Sequence, residues 1–473
     1  METSGLWMLA AVACAMLATG LPSWLVLCGV SLAFAAAGLA AGIFTPVLLA
    51  ALYPRVVGLV ENDLLQALPL YVLMGVLINR LPLADILFRV ARHALAFTGR
   101  GTPLAGLALG VLLAPMSGSV GASVAMLSRT VHPRMAASGY AEDNNVALVC
   151  VASTLGVVIP PSLVLILLGD AMMRAHTEAA NAAGLAGRIV NTQDVFHAAL
   201  VLAAILLALC AAIVALQGPR EPRRAAGDAP PVADTITACI AATSIVALLG
   251  AVALGRMYAV EAAATGGIAL AAYGMATRTL DRAVLAEVLR ETIAITGSLF
   301  ALLVAATLFT LVQRAFGTDR WLAASLAHVP GGPYATLAVV LAALACCALV
   351  LDAFEMIFVV IPLVAPALLV RLPDAPWIAV LTLLILQASF LVPPFGYAIL
   401  MARGRLRSTL GTRELARALT PYVAAQALVV ALVIVFPALL WRDAAPAVSA
   451  TPKSGEALER MLEEQLDAQP APK

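Results

Sequence analysis

Two short stretches of this chain set polar residues just before a double proline. One runs Ser153-Thr154-Leu155-Gly156-Val157-Val158-Ile159-Pro160-Pro161-Ser162, the other Gln387-Ala388-Ser389-Phe390-Leu391-Val392-Pro393-Pro394-Phe395-Gly396. Both lie inside apolar runs. Adjacent prolines remove two amide donors and clash with the preceding turn, so a helix must unwind there. In the first stretch this frees carbonyls at about Gly156 and Val158. Free carbonyls at membrane depth are tolerated only where they face protein or a polar cavity, and they suit a small cation such as Na⁺. The helix that restarts at Pro161-Ser162 presents its positive end, which suits an anion. An ordinary proline kink explains one such stretch equally well. Two at matched positions are harder to assign to chance.

Each stretch follows a long apolar segment with a polar centre. The first centre offers Ser117, Gly118, Ser119 and Ser123; the second offers Asp352 and Glu355. Ionisable residues at membrane depth are costly and point to function. Their i, i+3 spacing puts the two carboxylates on one helix face. Such a carboxylate holds Na⁺ or carries a proton; the alternative is a solvated pair at the membrane interface. Ser153, Thr154, Ser162, Glu355, Gln387 and Gly396 are the candidates to touch a solute.

The elements that carry these residues must sit in lipid. Of 473 residues, 62% are hydrophobic and 12% charged, about half the charge of a soluble domain. Apolar segments recur at about 5–20, 24–51, 66–80, 103–130, 146–172, 195–217, 233–252, 257–276, 292–312, 334–370, 377–402 and 421–441. The first run resembles a signal peptide in length, but no Lys or Arg precedes Arg55, so it is expected to be a membrane helix. In 103–132 the polar centre leaves two arms of about 13 residues, roughly 20 Å of helix, too short to cross. A re-entrant hairpin reaching mid-membrane is expected there and again at about 334–371, each followed by a helix broken at its double proline. The amphipathic stretches 83–96 and 279–291 read as interfacial, with 83–96 a brace on the cytoplasmic face and 314–328 its counterpart outside.

A Pro- and Arg-rich linker, 218–232, divides the chain into halves that match. Pro160 precedes Pro393 by 233 residues and Ser117 precedes Asp352 by 235. The expected units are a first repeat at 1–217, a second at 233–441, and a disordered tail at 442–473 with one short helix at 455–466. With the hairpins entering and leaving on one side, 17 Lys and Arg fall in cytoplasmic loops and seven in outside loops. The positive-inside rule then gives the halves opposite orientation. Paired, interrupted segments in inverted repeats are the sequence mark of a transporter site. The fold expected is therefore an all-α polytopic membrane protein of two inverted repeats. The seven cysteines lie in apolar runs and the five histidines do not cluster, so no metal centre and no cofactor beyond a coupling ion is expected. No HExxH, GxSxG or GxGD motif occurs, and an enzyme is not expected.

The stretches APMSGSVGASVAML, HPRMAASGYAEDNNVALV and STLGVVIPPSLVLILLGD resemble the large membrane subunit of tripartite ATP-independent periplasmic (TRAP) transporters. LDAFEMIFVVIPLVAP and LQASFLVPPFGYAILMARG resemble its mannitol/chloroaromatic-type branch. The resemblance covers about 5–441. It implies an elevator-type fold in the bacterial inner membrane, Na⁺ coupling and import of an organic acid anion. It also implies two partners, a small membrane subunit and a periplasmic solute-binding protein. The family's sodium sites would carry onto Ser117, Ser119, Gly156, Val158 and Pro161, and through the repeat onto Asp352, Ser389, Leu391 and Pro394. Val120-Gly121 after the first tip departs from the family pattern. A stand-alone Na⁺/carboxylate symporter of similar two-hairpin plan is the alternative.

Overall fold

The computed structural model describes residues 4–117, 119–183, 190–217, 220–221, 229–406 and 410–440, and for Asp63, Leu64 and Ser117 the backbone alone. The described residues form helices and connecting turns, with no strand among them. Seven helices are long and apolar enough to cross a membrane, and nine if each of two bent pairs is one span. The tail, its expected short helix and most of the linker lie outside the described residues.

Both hairpins form. The first has arms Gly101–Leu113 and Val120–Thr130 around a turn at Pro115–Ser117. At 13 and 11 residues the arms match the expected length. Glycines let this hairpin sit close: a methyl on Gly110 would lie 2.8 Å from the Cβ of Ala152 on the following helix. The second hairpin has longer arms, Gly332–Cys347 and Ala353–Arg371, the latter opening with one turn of α-helix and one of π-helix. Its second arm alone is long and apolar enough to span.

Both broken helices form as well. The first is Glu142–Val158 plus Leu163–Ala183, bent by 41°. It runs past the expected 146–172 because hydropathy falls at Arg174 while the helix continues through its charged turns. The second is Ala375–Ser389 plus Tyr397–Leu406.

One expectation needs correction. Residues 279–291 are not a separate interfacial helix. Asp281 caps a single helix, Arg282–Ala315, of 34 residues, its side chain accepting from the Val284 amide at 2.8 Å. Glu287, Arg290 and Glu291 are simply its polar first turns. The apolar segment 24–51 divides between several helices. Ser23–Ala40 ends at Gly42, which holds φ +65°, and Pro46 starts the short helices Val47–Ala50 and Leu52–Val60. Helices form at the stretches expected as brace and counterpart, Leu83–Ala94 and Thr318–Ala327.

The packing repeats with the halves exchanged. Val120–Thr130 lies on Tyr397–Leu406, and Ile361–Arg371 lies on Leu163–Ala183. Each hairpin thus rests its second arm on the far half of the other repeat's broken helix. Glu142–Val158 packs on Thr412–Val435, and Ala375–Ser389 on Thr192–Leu216. These elements make one body, the bundle. Around it a frame forms from Ser23–Ala40 against Arg282–Ala315 and from Ala259–Ala276 against Asp63–Arg80.

Candidate functional site

At the first break the helix ends at Val158, and Ile159 turns to an extended conformation. Pro160 has no N–H to give the carbonyl of Gly156, and Pro161 none for Val157. Ser162 answers one of these losses: its hydroxyl donates to the Val157 carbonyl at 2.7 Å and accepts from the Leu165 amide at 3.1 Å. It caps the second half of the helix. Gly156 is glycine because the first hairpin tip rests on it: a methyl there would lie 2.8 Å from the Pro115 nitrogen.

Ser119, Ser123, Ser153, Gly156 and Ser162 line a small cavity of about 10 Å³, room for about one water or ion. Serine residues and the Gly156 backbone line it without a carboxylate. Val158 and Pro161 are buried in the same break but do not line this cavity. Thr154 donates to the Val151 carbonyl at 3.0 Å and faces its own helix. Gly118 and the Ser117 side chain lie outside the described residues.

At the second tip Asp352 caps its helix. Its Oδ1 accepts from the Ala353 amide at 2.6 Å, while the Asp352 amide donates to Glu355 Oε2 at 3.0 Å. Ser23, at the start of a frame helix, places its hydroxyl against Glu355.

Both tips open onto one large cavity of about 1090 Å³. Ser119, Gly121, Asp352 and Glu355 form its bundle wall; Asn79, Arg80, Glu291, Ser298 and Leu302 form its frame wall. Arg129 and Arg405 stand at it too. The cavity touches the end of Asp63–Arg80 and the start of Arg282–Ala315, two helices at equivalent places in the two halves. Those helices therefore run in opposite directions, as inverted repeats require. At the rim Arg80 pairs with Glu287 and Glu291 at 3.0 and 2.9 Å, and Arg129 donates to the Asn79 carbonyl at 2.8 Å.

The second break differs from the first. Pro394 and Phe395 are exposed, and Ser389 donates back to the Ile385 carbonyl at 2.9 Å. The Ser389 carbonyl accepts from the Val392 amide at 3.3 Å. Gly396 folds under Phe390, and its amide reaches the Val392 carbonyl at 2.8 Å. Gln387 accepts from Gln426 at 3.1 Å deep in the bundle. Thus Gln387, Ser389, Leu391, Pro394 and Gly396 are not brought to the cavity. Tyr397, which sequence reasoning missed, lies near Asp352 and Glu355 and packs on Phe390 with ring centroids 6.0 Å apart. Arg80, Arg129 and Arg405 were read only as cytoplasmic charge; nothing in their spacing signals a cavity.

The linker returns to the base of the first hairpin. The Glu221 amide donates to the Gly99 carbonyl at 2.7 Å, and its carboxylate accepts from the Thr102 amide at 3.0 Å. Tyr140, in the loop read as cytoplasmic, bonds the same carboxylate. Burial first, then the charge of Glu221, push its phenol up to about 12, against the opposing effect of Arg100.

Comparison with known proteins decides the family. The model of the tripartite ATP-independent periplasmic transporter DctM component matches residues 10–439. The chain belongs to this family. It is therefore a TRAP large permease subunit by family and an inner-membrane protein. It is 32% identical over 106 residues to the C4-dicarboxylate TRAP transporter large permease protein DctM of Pseudomonas aeruginosa, covering 22% of this chain and 25% of that one. The DctM proteins of Vibrio cholerae and Rhodobacter capsulatus are likewise matched over 22% and 24% of their lengths. The chain thus aligns with about a quarter of these first relatives. The sialic acid TRAP transporter large permease protein SiaM of Vibrio cholerae is 23% identical over 387 residues, 81% of this chain and 86% of that one. The fold resembles the YdaH transporter of Alcanivorax borkumensis, whose crystal structure is described as having an unusual topology. The TM-score is 0.62 at 16% identity, over 84% of this chain and 89% of the other.

Proposed function

We propose that this chain is the membrane permease of a Na⁺-coupled, binding-protein-dependent importer of an organic acid anion, and that the bundle moves against the frame as an elevator. One observation supports this most directly. The large cavity has the two hairpin tips on one wall and the frame helix Arg282–Ala315 on the other. A solute held there touches both bodies, so it is carried if one slides past the other. The small hydroxyl-lined cavity beside Gly156 supports a cation site adjoining that solute, and Asp352 supports a second. Relatives named for C4-dicarboxylates and for sialic acid, both carboxylic acids, support the anion class. The family name supports a small membrane partner and a periplasmic solute-binding protein.

The test is uptake by proteoliposomes holding this chain, its small partner and the binding protein. Uptake is expected only with an inward Na⁺ gradient, with a Hill coefficient above one. Uptake unchanged when K⁺ replaces Na⁺ overturns the coupling. Robust uptake without the binding protein makes the chain a stand-alone symporter.

A further inference from the structure

A second chamber, of about 480 Å³, lies at the opposite end of the same two frame helices. The large cavity touches Glu291 to Leu302 of the long frame helix; this chamber touches Leu303 to Arg314. From Glu291 to Arg314 is roughly 34 Å at helical rise, so the two open toward opposite faces. The inverted repeat relates them. The large cavity takes the second arm of the first hairpin and the far half of the second broken helix. The chamber takes the second arm of the second hairpin and the far half of the first.

Its charges are unlike a packing void. Arg314 comes from the frame, Arg55 from the short helix Leu52–Val60 packed on it, Arg174 from the bundle, and only Asp170 and Glu178 oppose them. Arg314 pairs with Glu178 at 2.8 Å and Arg174 with Asp170 at 3.0 Å. Among the described residues Arg55 makes no hydrogen bond or ion pair. The chamber thus holds one cation in excess, and one of its two ion pairs ties the bundle to the frame.

We propose that this chamber is a second anion site, which takes a small carboxylate between Arg55 and Arg314 in place of Glu178. The site rests on the anion-importer reading above and adds to it: the arriving carboxylate removes a tie between frame and bundle. Guanidinium groups bind carboxylates through charge-assisted, often bidentate hydrogen bonds, and Glu178 already supplies a carboxylate of that kind. The chamber has ample room for a molecule of succinate size.

The experiment is an equilibrium titration of radiolabelled succinate onto the full-length chain in phosphatidylcholine nanodiscs without Na⁺. Arg55→Gln is expected to weaken binding by about tenfold, the loss of one charge-assisted contact. Arg55→Lys restores part of it, and Glu178→Gln, which removes the competitor, tightens it. All three titrating as the wild type overturns the site. So does a chain that binds no succinate in phosphatidylcholine but whose Arg55 environment changes in phosphatidylglycerol, which assigns the chamber to a lipid headgroup. Arg55 is exposed, so its variants should fold; a circular dichroism melt checks this. Failure of the wider reading is distinct: Na⁺-dependent uptake is then absent while the ordered effects on succinate binding persist.

Discussion

The main-chain N–H of Asp352 donates to the carboxylate of Glu355 at 3.0 Å. The two acidic residues of the second hairpin are therefore joined through the backbone, and both line the cavity, Glu355 while also holding the tip.

Asp352→Asn keeps the shape, replaces one carboxylate oxygen with an amide nitrogen and deletes the charge. If Asp352 holds a sodium ion, this change raises the apparent Na⁺ constant of uptake more than Ser119→Ala does, since a charge-assisted contact is worth roughly twice a neutral one. If Asp352 carries a proton, the pH profile flattens and Na⁺ affinity stays. Uptake curves against Na⁺ and pH on both variants separate these outcomes. No change in either curve removes Asp352 from the site.

Gly156→Ala puts a methyl 2.8 Å from the Pro115 nitrogen and against Ala114. The hairpin tip must lift, at about 1–3 kcal/mol for overpacking. The expected reading is a lower melting temperature together with weakened Na⁺ dependence. An alanine variant with wild-type melting and uptake shows that the tip does not rest there.

Ser162→Ala loses a helix cap and leaves the Val157 carbonyl without its hydroxyl donor. A lost cap costs about 1 kcal/mol and an unsatisfied buried carbonyl about 1–3. Ser162→Thr, which keeps the hydroxyl, should retain most of the stability. Denaturation of the three forms side by side is the check, and an alanine form as stable as the threonine form contradicts the capping role.

Gln387→Leu should cost about 1 kcal/mol, one neutral hydrogen bond to Gln426, and leave solute preference alone. Competition uptake with a panel of carboxylates measures the preference. A changed ranking with unchanged melting restores Gln387 as a solute contact.

Tyr140, in the loop before the first broken helix, gives a pH prediction. Its folded value of about 12 lies above the ordinary value of 10.0. Between those values the unfolded chain loses the proton and the folded chain keeps it, so stability falls as pH rises. The contribution is whole below about pH 10 and gone above about pH 12. Melting curves across that range should drop for the wild type and drop less for Tyr140→Phe. Equal slopes discard the coupling.

The bundle was legible because its signals are covalent or compositional. Double prolines forbid the helix at 160 and 393, and a polar centre splits 103–132 into arms too short to cross. Frame boundaries were less legible. Hydropathy drops at Glu287 to Glu291 and at Arg174, yet a helix propagates through polar turns at little cost, so 282–315 and 142–183 were underestimated. The first small cavity could be foreseen from Ser119, Gly156 and Ser162. The second break could not: Pro393-Pro394 copies Pro160-Pro161 in sequence, but the first hairpin tip rests on Gly156 through Ala114 and Pro115, whereas Pro394 is exposed. Arg80, Arg129 and Arg405 meet at one cavity only through packing between halves, which no local pattern records.

The long frame helix passes from one chamber to the other between Leu302, which faces the large cavity, and Leu303, which faces the second. Both are buried. Where polar chambers reach in from both sides, the membrane potential falls mainly across the layer between them. A unit charge crossing the full drop exchanges about 2.3 kcal/mol per 100 mV. On the Na⁺-coupled function proposed above, an ion carried past these two leucines senses most of the voltage over a short step. Turnover with net charge movement should then be steeply voltage-dependent, and polar residues at 302 and 303 should make the resting protein electrically leaky.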